Sequence, residues 1–382
     1  MSDNQARQEI AKDDQGGNQV MEFGVFILAQ QRSYDQTSKQ VLDCAMQQTA
    51  AAEAAGFTTA WYAEHHFNNY SLSPSPLMLV TYCAALTKTI RLGTAVCVLP
   101  LYHPNRLLGE IGFADDMSEG RLELGVGSGY QQFEFERFGV KLEEAPALFS
   151  EHLDIIQKGL RERIFSHLGP HLTIPPTAIS VRTVQRPTPP IWLAAGSVRS
   201  MRRAFREGHN LFVTVLHGDL EAIGSLRSTI EEAAAAESRK PEDTKIGFLR
   251  CAFASDNEAE ITAYLENARY SRRLSESLQQ RRQQSDDGYL LKEQSSPNDL
   301  SFETLRANLP VGSVNRVIDR LLEEIEILKP NHIAIQTQLG NLDQTMMLRQ
   351  VDLWGEKIIP AVRRALGSET ASRMTFMATA AE

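Results

Sequence analysis

Apolar and polar positions along this chain alternate between two spacings, short apolar runs and longer stretches with helical periodicity. The run at 22–28 predicts a first strand, and 36–55 carries helical spacing that stops at Gly56, a residue favoured just past a helix end. An aromatic and β-branched run at 58–62 predicts the second strand, and 76–86 the next helix. Residues 91–99 are almost continuously apolar, as expected of a strand covered on both faces in a parallel sheet. Pro104 opens a helix that ends near Met117, and a fourth strand follows at 122–126. The second half repeats the theme. A helix at about 145–164 leads into a Pro-rich excursion, 170–190, expected to hold a small hairpin. Strands are expected at 191–195, 210–214, 245–254 and 332–336, and helices at 219–237, 257–270, from Ser313, and at 343–366.

Eight strands alternating with helices predict an α/β fold, a single (β/α)8 barrel (TIM barrel) over 21–366. A two-domain, doubly wound sheet is the competing reading, but no low-complexity linker divides the middle. The polar, Gln/Arg/Ser-rich segment 271–312 reads as an insertion before the last strand and a candidate lid. Residues 1–20 read as a disordered tail and 367–382 as a C-terminal tail.

Composition narrows the function. The chain has 382 residues, 42% hydrophobic and 23% charged, with a net charge of −9, so no basic face is implied and nucleic acid and anionic membranes are not expected partners. No apolar run reaches the roughly 18 residues that span a bilayer, and no charged-then-apolar leader pattern opens the chain. Cys44, Cys83, Cys97 and Cys251 are scattered, with neither a disulfide framework nor zinc spacing, which fits a cytoplasmic setting.

The candidate chemistry begins at Glu64-His65-His66-Phe67, which ends the second predicted strand and precedes a loop marked by Asn68, Asn69, Pro74 and Pro76. The carboxyl ends of barrel strands are where chemistry sits. Side chains alternate along a strand, so one histidine is expected to face the mouth and the other to pack beneath the loop. An imidazole suits proton transfer in either direction near neutral pH. A metal would need three or four convergent ligands. Only Glu64, a histidine and His103 are at hand, so no metal is expected. Gly125-Val126-Gly127-Ser128-Gly129-Tyr130 is similar to a dinucleotide loop, but position 130 lacks the third glycine. Gly196-Ser197 precedes a helix, where free N–H groups and the hydroxyl would cradle a phosphate; a plain Ser197 N-cap is the alternative. Phe26, Ala95 and Val96, at strand ends, would pack against a planar ring.

Strung together, these segments resemble the bacterial luciferase-like flavin monooxygenases over roughly 21–366. The anchors are Phe23-Gly24-Val25-Phe26, Glu64-His65-His66-Phe67, the segment from Gly93 to Pro100, His103-Pro104, Met117 to Arg121, and Val311-Gly312-Ser313. The resemblance implies a barrel that binds reduced FMN noncovalently and reacts it with O2 through a C4a-peroxyflavin to oxygenate a small organic substrate. It implies His65 as the catalytic histidine, with Glu64 near the flavin. It also places Ala95-Val96 at a non-proline cis peptide against the ring, and Gly196-Ser197 at the phosphate turn. Two departures stand out: Ser128 replaces a phosphate-contacting arginine, leaving Ser128, Tyr130 and backbone N–H groups for that grip, and Gly127 replaces a reactive cysteine. The implied partners are O2, a separate NAD(P)H:flavin reductase and a second copy in a homodimer. Phe67, Tyr70, Tyr102, Tyr130 and Phe133 bias the expected substrate toward apolar or aromatic compounds. Related deazaflavin (F420) hydride-transfer enzymes and a noncatalytic flavin-binding subunit are the alternatives.

Overall fold

Strand β1 (Glu22–Ile27) pairs in parallel with β2 (Thr59–Tyr62) on one side and with the last strand, β13 (His332–Gln336), on the other. From β2 the ladder continues through β3 (Arg91–Thr94), β5 (Leu122–Gly127), β8 (Ile191–Ala194), β9 (Asn210–Thr214) and β10 (Ile246–Cys251), which returns to β13. Eight parallel strands therefore close on themselves, the barrel expected from the alternating pattern. The computed structural model describes residues 20–33, 35–280 and 299–367. The predicted tails, apart from residue 20 and residue 367, and the 281–298 part of the insertion lie outside the described residues.

Helices wrap the barrel because their apolar faces have only the outer strand face to cover. Helix α1 (Ser38–Ala54) starts at Thr37, whose hydroxyl accepts from the Gln40 N–H while the Gln40 side chain reaches back to the Thr37 backbone. Helices α2 (Pro76–Leu86) and α3 (Pro104–Met117) open with proline, which fits a first turn because the N–H it lacks would have had no intrahelical acceptor there.

The run at 91–99 is not one strand. It breaks at a cis Ala95–Val96 peptide and resumes as β4 (Cys97–Val98). Gly93 pairs with Glu123 and Cys97 with Val126, so four residues on one side advance against three on the other. The extra residue is what a bulge inserts. Helix α4 (Gln132–Phe138) falls between the strand predicted at 122–126 and the helix predicted at about 145–164, where no element is predicted; seven residues are too few to display a helical period, and Gly139 ends it in the left-handed region. Helix α5 (Ala145–Arg161) leads to the antiparallel pair β6 (Phe165–Leu168) and β7 (Thr173–Thr177). The expected hairpin is therefore present, but it starts ahead of the Pro-rich stretch, because Phe165 and Ile174 supply its buried contacts.

Helix α6 (Val198–Glu207) and α7 (Leu220–Ala236) follow β8 and β9. After β10 and the short β11 (Phe253–Ala254), helix α8 (Glu258–Gln279) runs nine residues past the expected end at 270. Tyr270, Leu274 and Leu278, four apart and buried, carry its apolar stripe onward into the supposed insertion. A short α9 (Phe302–Asn308) and β12 (Val311–Gly312), paired with β11, precede α10 (Val314–Leu328), and α11 (Gln344–Leu353) follows β13. No helix among the described residues is long and apolar enough to cross a membrane.

The barrel interior is plugged at its lower end. Trp61 Nε1–H donates to His332 Nε2 at 2.9 Å, and Trp192 Nε1–H donates to Glu123 Oε2 at 2.6 Å. The two indoles meet edge to face, 5.4 Å between centroids. Gly93 makes room for them: a Cβ there would lie 2.2 Å from Trp61. The plug leaves the strands' carboxyl ends as the open mouth.

Candidate active site

A cavity of about 520 Å³ occupies that mouth. Phe26 and Leu28 reach it from the end of β1, Ala95 and Val96 from the break after β3, Gly127 to Tyr130 from the end of β5, and Ala194 to Gly196 from β8. Of the residues singled out from sequence, Phe26, Glu64, His65, Ala95, Val96, Ser128, Tyr130 and Gly196 all line it. Ser197 does not. It is exposed and caps α6, its hydroxyl accepting from the Ser200 N–H while the Ser200 side chain bonds back to its backbone. A capping hydroxyl so used still leaves the helix's first N–H groups beside Gly196, where a Cβ would meet nothing within 4 Å.

His65 and His66 part company as strand alternation requires. The His65 imidazole lines the cavity; its Nδ1–H donates to Glu134 Oε1 at 2.9 Å, which leaves Nε2 for a ligand. The same Glu134 oxygen accepts from the His66 backbone N–H at 2.8 Å, so one carboxylate at the start of α4 fixes both the ring and the loop that carries it. The rings of Tyr70 and Tyr130 stand edge-on to His65 at 4.7 and 6.0 Å. Both phenols interact with Ser275 on α8.

His66 turns the other way and donates from Nε2 to Glu64 Oε1 at 2.8 Å. Glu64 Oε2 accepts from the Val98 N–H at 3.1 Å and from the Tyr102 hydroxyl at 2.9 Å. Burial holds the Glu64 carboxyl above the ordinary carboxylate range, against the pull of His66 and these two donors. Both of its oxygens are engaged within the protein.

Four contributing residues escaped sequence reading. Glu134 is 69 positions from His65 and sits in a helix that showed no period. Ser275 and Gln279 line the cavity from the extension of α8, so the described start of the segment 271–312 borders the mouth. Gln336, at the end of β13, lines it from the opposite strand. A second cavity of about 550 Å³ adjoins the first and shares Tyr70, Leu216, Ser275 and Gln279 with it. His217 lies there, fully buried beside Arg272 and Arg250, and burial pushes its pKa down to about 3, so it is neutral.

A closed (β/α)8 barrel with an orientated histidine and an apolar chamber at its carboxyl end is the architecture of a barrel enzyme. The model of the luciferase-like monooxygenase family matches residues 21–328, and the chain belongs to that family. It is 64% identical to the uncharacterized protein y4vJ of Sinorhizobium fredii over 92% of this chain and all of that one. It is 32% identical to the oxygenase component of the flavin-dependent trigonelline monooxygenase of Acinetobacter baylyi, over 79% of this chain and 85% of that one. Among solved structures, the FMN-bound oxygenating constituent of 3,6-diketocamphane monooxygenase from Pseudomonas putida shares the fold (TM-score 0.72, 20% identity, 89% and 98% coverage). So does an F420-dependent secondary alcohol dehydrogenase (TM-score 0.69, 16% identity, 90% and 99% coverage).

Proposed function

We propose that this protein is the oxygenase component of a two-component monooxygenase that uses reduced FMN and O2 to oxygenate a small apolar or aromatic organic substrate. The observation that carries the reading is the His65 imidazole, orientated by Glu134 at the wall of an otherwise largely apolar chamber, in a chain of this family.

The residues present fit a flavin mononucleotide. Phe26, Leu28 and Leu249 offer apolar walls and Ala95 and Val96 a small-residue surface for a planar ring. The first N–H groups of α6 beyond Gly196, with Ser128 at the end of the adjacent strand β5, offer a phosphate its donors. A volume of about 520 Å³ is in the usual range for such a ligand. When bound, reduced FMN would supply the electrons that activate O2. The protein's own part is to bind the ring, keep water from it behind apolar side chains, and place His65 Nε2 where it can give or take a proton. Glu64 acts as a positioning residue, since His66, Val98 and Tyr102 engage both of its oxygens. The electrons come from a separate NAD(P)H:flavin reductase, as the naming of the Acinetobacter relative as an oxygenase component supports.

We further assign a homodimer. Met78, Tyr82 and Leu86 on α2 and Phe113 and Met117 on the neighbouring α3 are about half exposed or more, an apolar face suited to a second copy.

The test is stopped-flow absorbance of photoreduced FMN mixed with aerated buffer, with and without the protein. Tight binding and reoxidation slower than that of free FMN are expected. No binding of reduced FMN, with tight binding of F420 instead, would replace this reading with hydride transfer to or from a deazaflavin.

A further inference from the structure

Two cavities of this molecule share a wall one side chain thick. Glu64 borders the chamber at the mouth, and it also borders a groove of about 690 Å³ between α2, α3 and the end of α4. It is the one described residue common to both linings. Its side chain is wholly buried, with Oε1 taking the His66 Nε2–H at 2.8 Å and Oε2 the Tyr102 hydroxyl at 2.9 Å. Both donors line the groove, so its floor is the back of the wall that carries His65.

The rim of the groove is apolar and exposed. Met78 on α2, Phe113 on α3 and Phe138 at the end of α4 line it, each more than a third exposed. Met78 and Phe113 also belong to the face assigned above to a second copy, so groove and face are one continuous surface. The charges favour the same occupant. Arg106 and Glu110, one turn apart on α3 and 2.8 Å from each other, line the groove as well. A twofold axis perpendicular to α3 reverses their order in the second copy, so each arginine meets a glutamate.

Resting on the flavin and homodimer readings above, we propose that a second copy closes this groove and that its docking fixes the position of His65, the Glu64–His66 pair carrying the effect from interface to chamber. In a single chain, water in the groove competes for the His66 and Tyr102 donors and for the Glu64 oxygens. Closing the groove ends that competition and strengthens the bonds. His66 follows His65 directly in the chain, and its backbone N–H shares Glu134 Oε1 with the His65 imidazole. A His66 ring released from Glu64 therefore loosens the segment that holds His65. One copy alone still binds flavin, but the wall behind His65 is open to water.

The experiment compares the wild-type protein, diluted through its dissociation, with Tyr82→Glu, a position on the apolar face and outside the groove lining. Light scattering gives the mass, thermal melts confirm folding, and hydrogen exchange of the flavin-free protein is read on segment 64–73. Exchange there is expected to quicken on the order of 10-fold in step with loss of the dimer, while 210–236, on the opposite side of the barrel, stays unchanged. Reoxidation of bound reduced FMN in aerated buffer is expected to be on the order of 10-fold faster in Tyr82→Glu at equal flavin saturation. Unchanged exchange at 64–73, or unchanged reoxidation, after dissociation would overturn the proposal and leave the flavin reading intact. Wild-type protein of single-chain mass at every concentration would overturn it as well and give the groove to another occupant. A wild-type dimer that does not bind reduced FMN would overturn the flavin reading, and the exchange result would then decide the coupling by itself.

Discussion

Glu134, on the helix that follows β5, holds His65: Glu134 Oε1 lies 2.9 Å from His65 Nδ1, and the same oxygen takes the His66 backbone N–H at 2.8 Å. A carboxylate in this place fixes the tautomer, with the proton on Nδ1 and Nε2 toward the chamber. Glutamine at 134 can still accept from one donor, but it loses the charge that strengthens both bonds. Glu134→Gln should therefore lower turnover by roughly 10- to 100-fold, the scale for removing the partner that orients a functional histidine, with little change in FMN affinity. His65→Ala should bind FMN as well as the wild type, while product yield falls and H2O2 rises. Single-turnover product and peroxide assays read both outcomes. Unchanged coupling in His65→Ala would remove the proposed role.

Glu64 makes a separable, pH-dependent statement. Its carboxyl is raised above the value of 4.5 that it has when unfolded, chiefly by burial. The folded protein therefore holds that proton more tightly than the unfolded chain does. The associated stability is fully present below about 4.5 and is lost as pH rises through the higher folded value. Glu64→Gln has no such proton to lose. In urea unfolding followed from pH 4 to 7, the variant should gain on the wild type as pH rises. A gap that stays constant, or widens against the variant, would contradict a raised carboxyl.

Much of the barrel was legible because its strands are short apolar runs and its helices long amphipathic ones. The run 58–62 and the run 332–336 declare themselves without any tertiary information. What escaped needed either length or three dimensions. Helix α4 has only seven residues, so Glu134 had no period to place it on a face. The end of α8 was hidden because Arg272, Arg273 and their polar neighbours mask the stripe of Tyr270, Leu274 and Leu278. Gln336 could be placed at a strand end, but an amide without a partner is visible only once the neighbours are known. The pairing of His66 with Glu64, two positions apart, was within reach of strand alternation; the sharing of Glu134 was not.

Arg250 and Glu324 tie the mouth's loops to the helix layer. Both are essentially unexposed, 2.7 Å apart, and Arg250 also donates to the carbonyls of Gly218 at 3.0 Å and Asn308 at 2.6 Å. Removing one partner of a buried pair strands the other charge, at a cost of about 3–5 kcal/mol. Glu324→Gln should therefore lose stability on that scale in urea denaturation. Asp43→Asn, which breaks the exposed pair with Lys39, should lose about 0–1 kcal/mol. Equal losses would show that the buried network is solvated in solution.

The apolar face of α2 and α3 carries the last prediction. Met78, Tyr82 and Leu86 fall four apart on α2, so they share one side of that helix, and Tyr82 is 56% exposed. Phe113 and Met117 repeat the spacing on α3. Two copies related by a twofold axis could cover both stripes at once, because a face of this kind meets itself. A charge at its centre would have to be buried without a partner in such a dimer and would cost nothing on a free surface. Light scattering on a sizing column should give twice the chain mass for the wild type and the mass of one chain for Tyr82→Glu. The variant's thermal melt should then lose the concentration dependence that a dimer confers. A wild-type protein that elutes as one chain would remove the homodimer and leave this face to another partner.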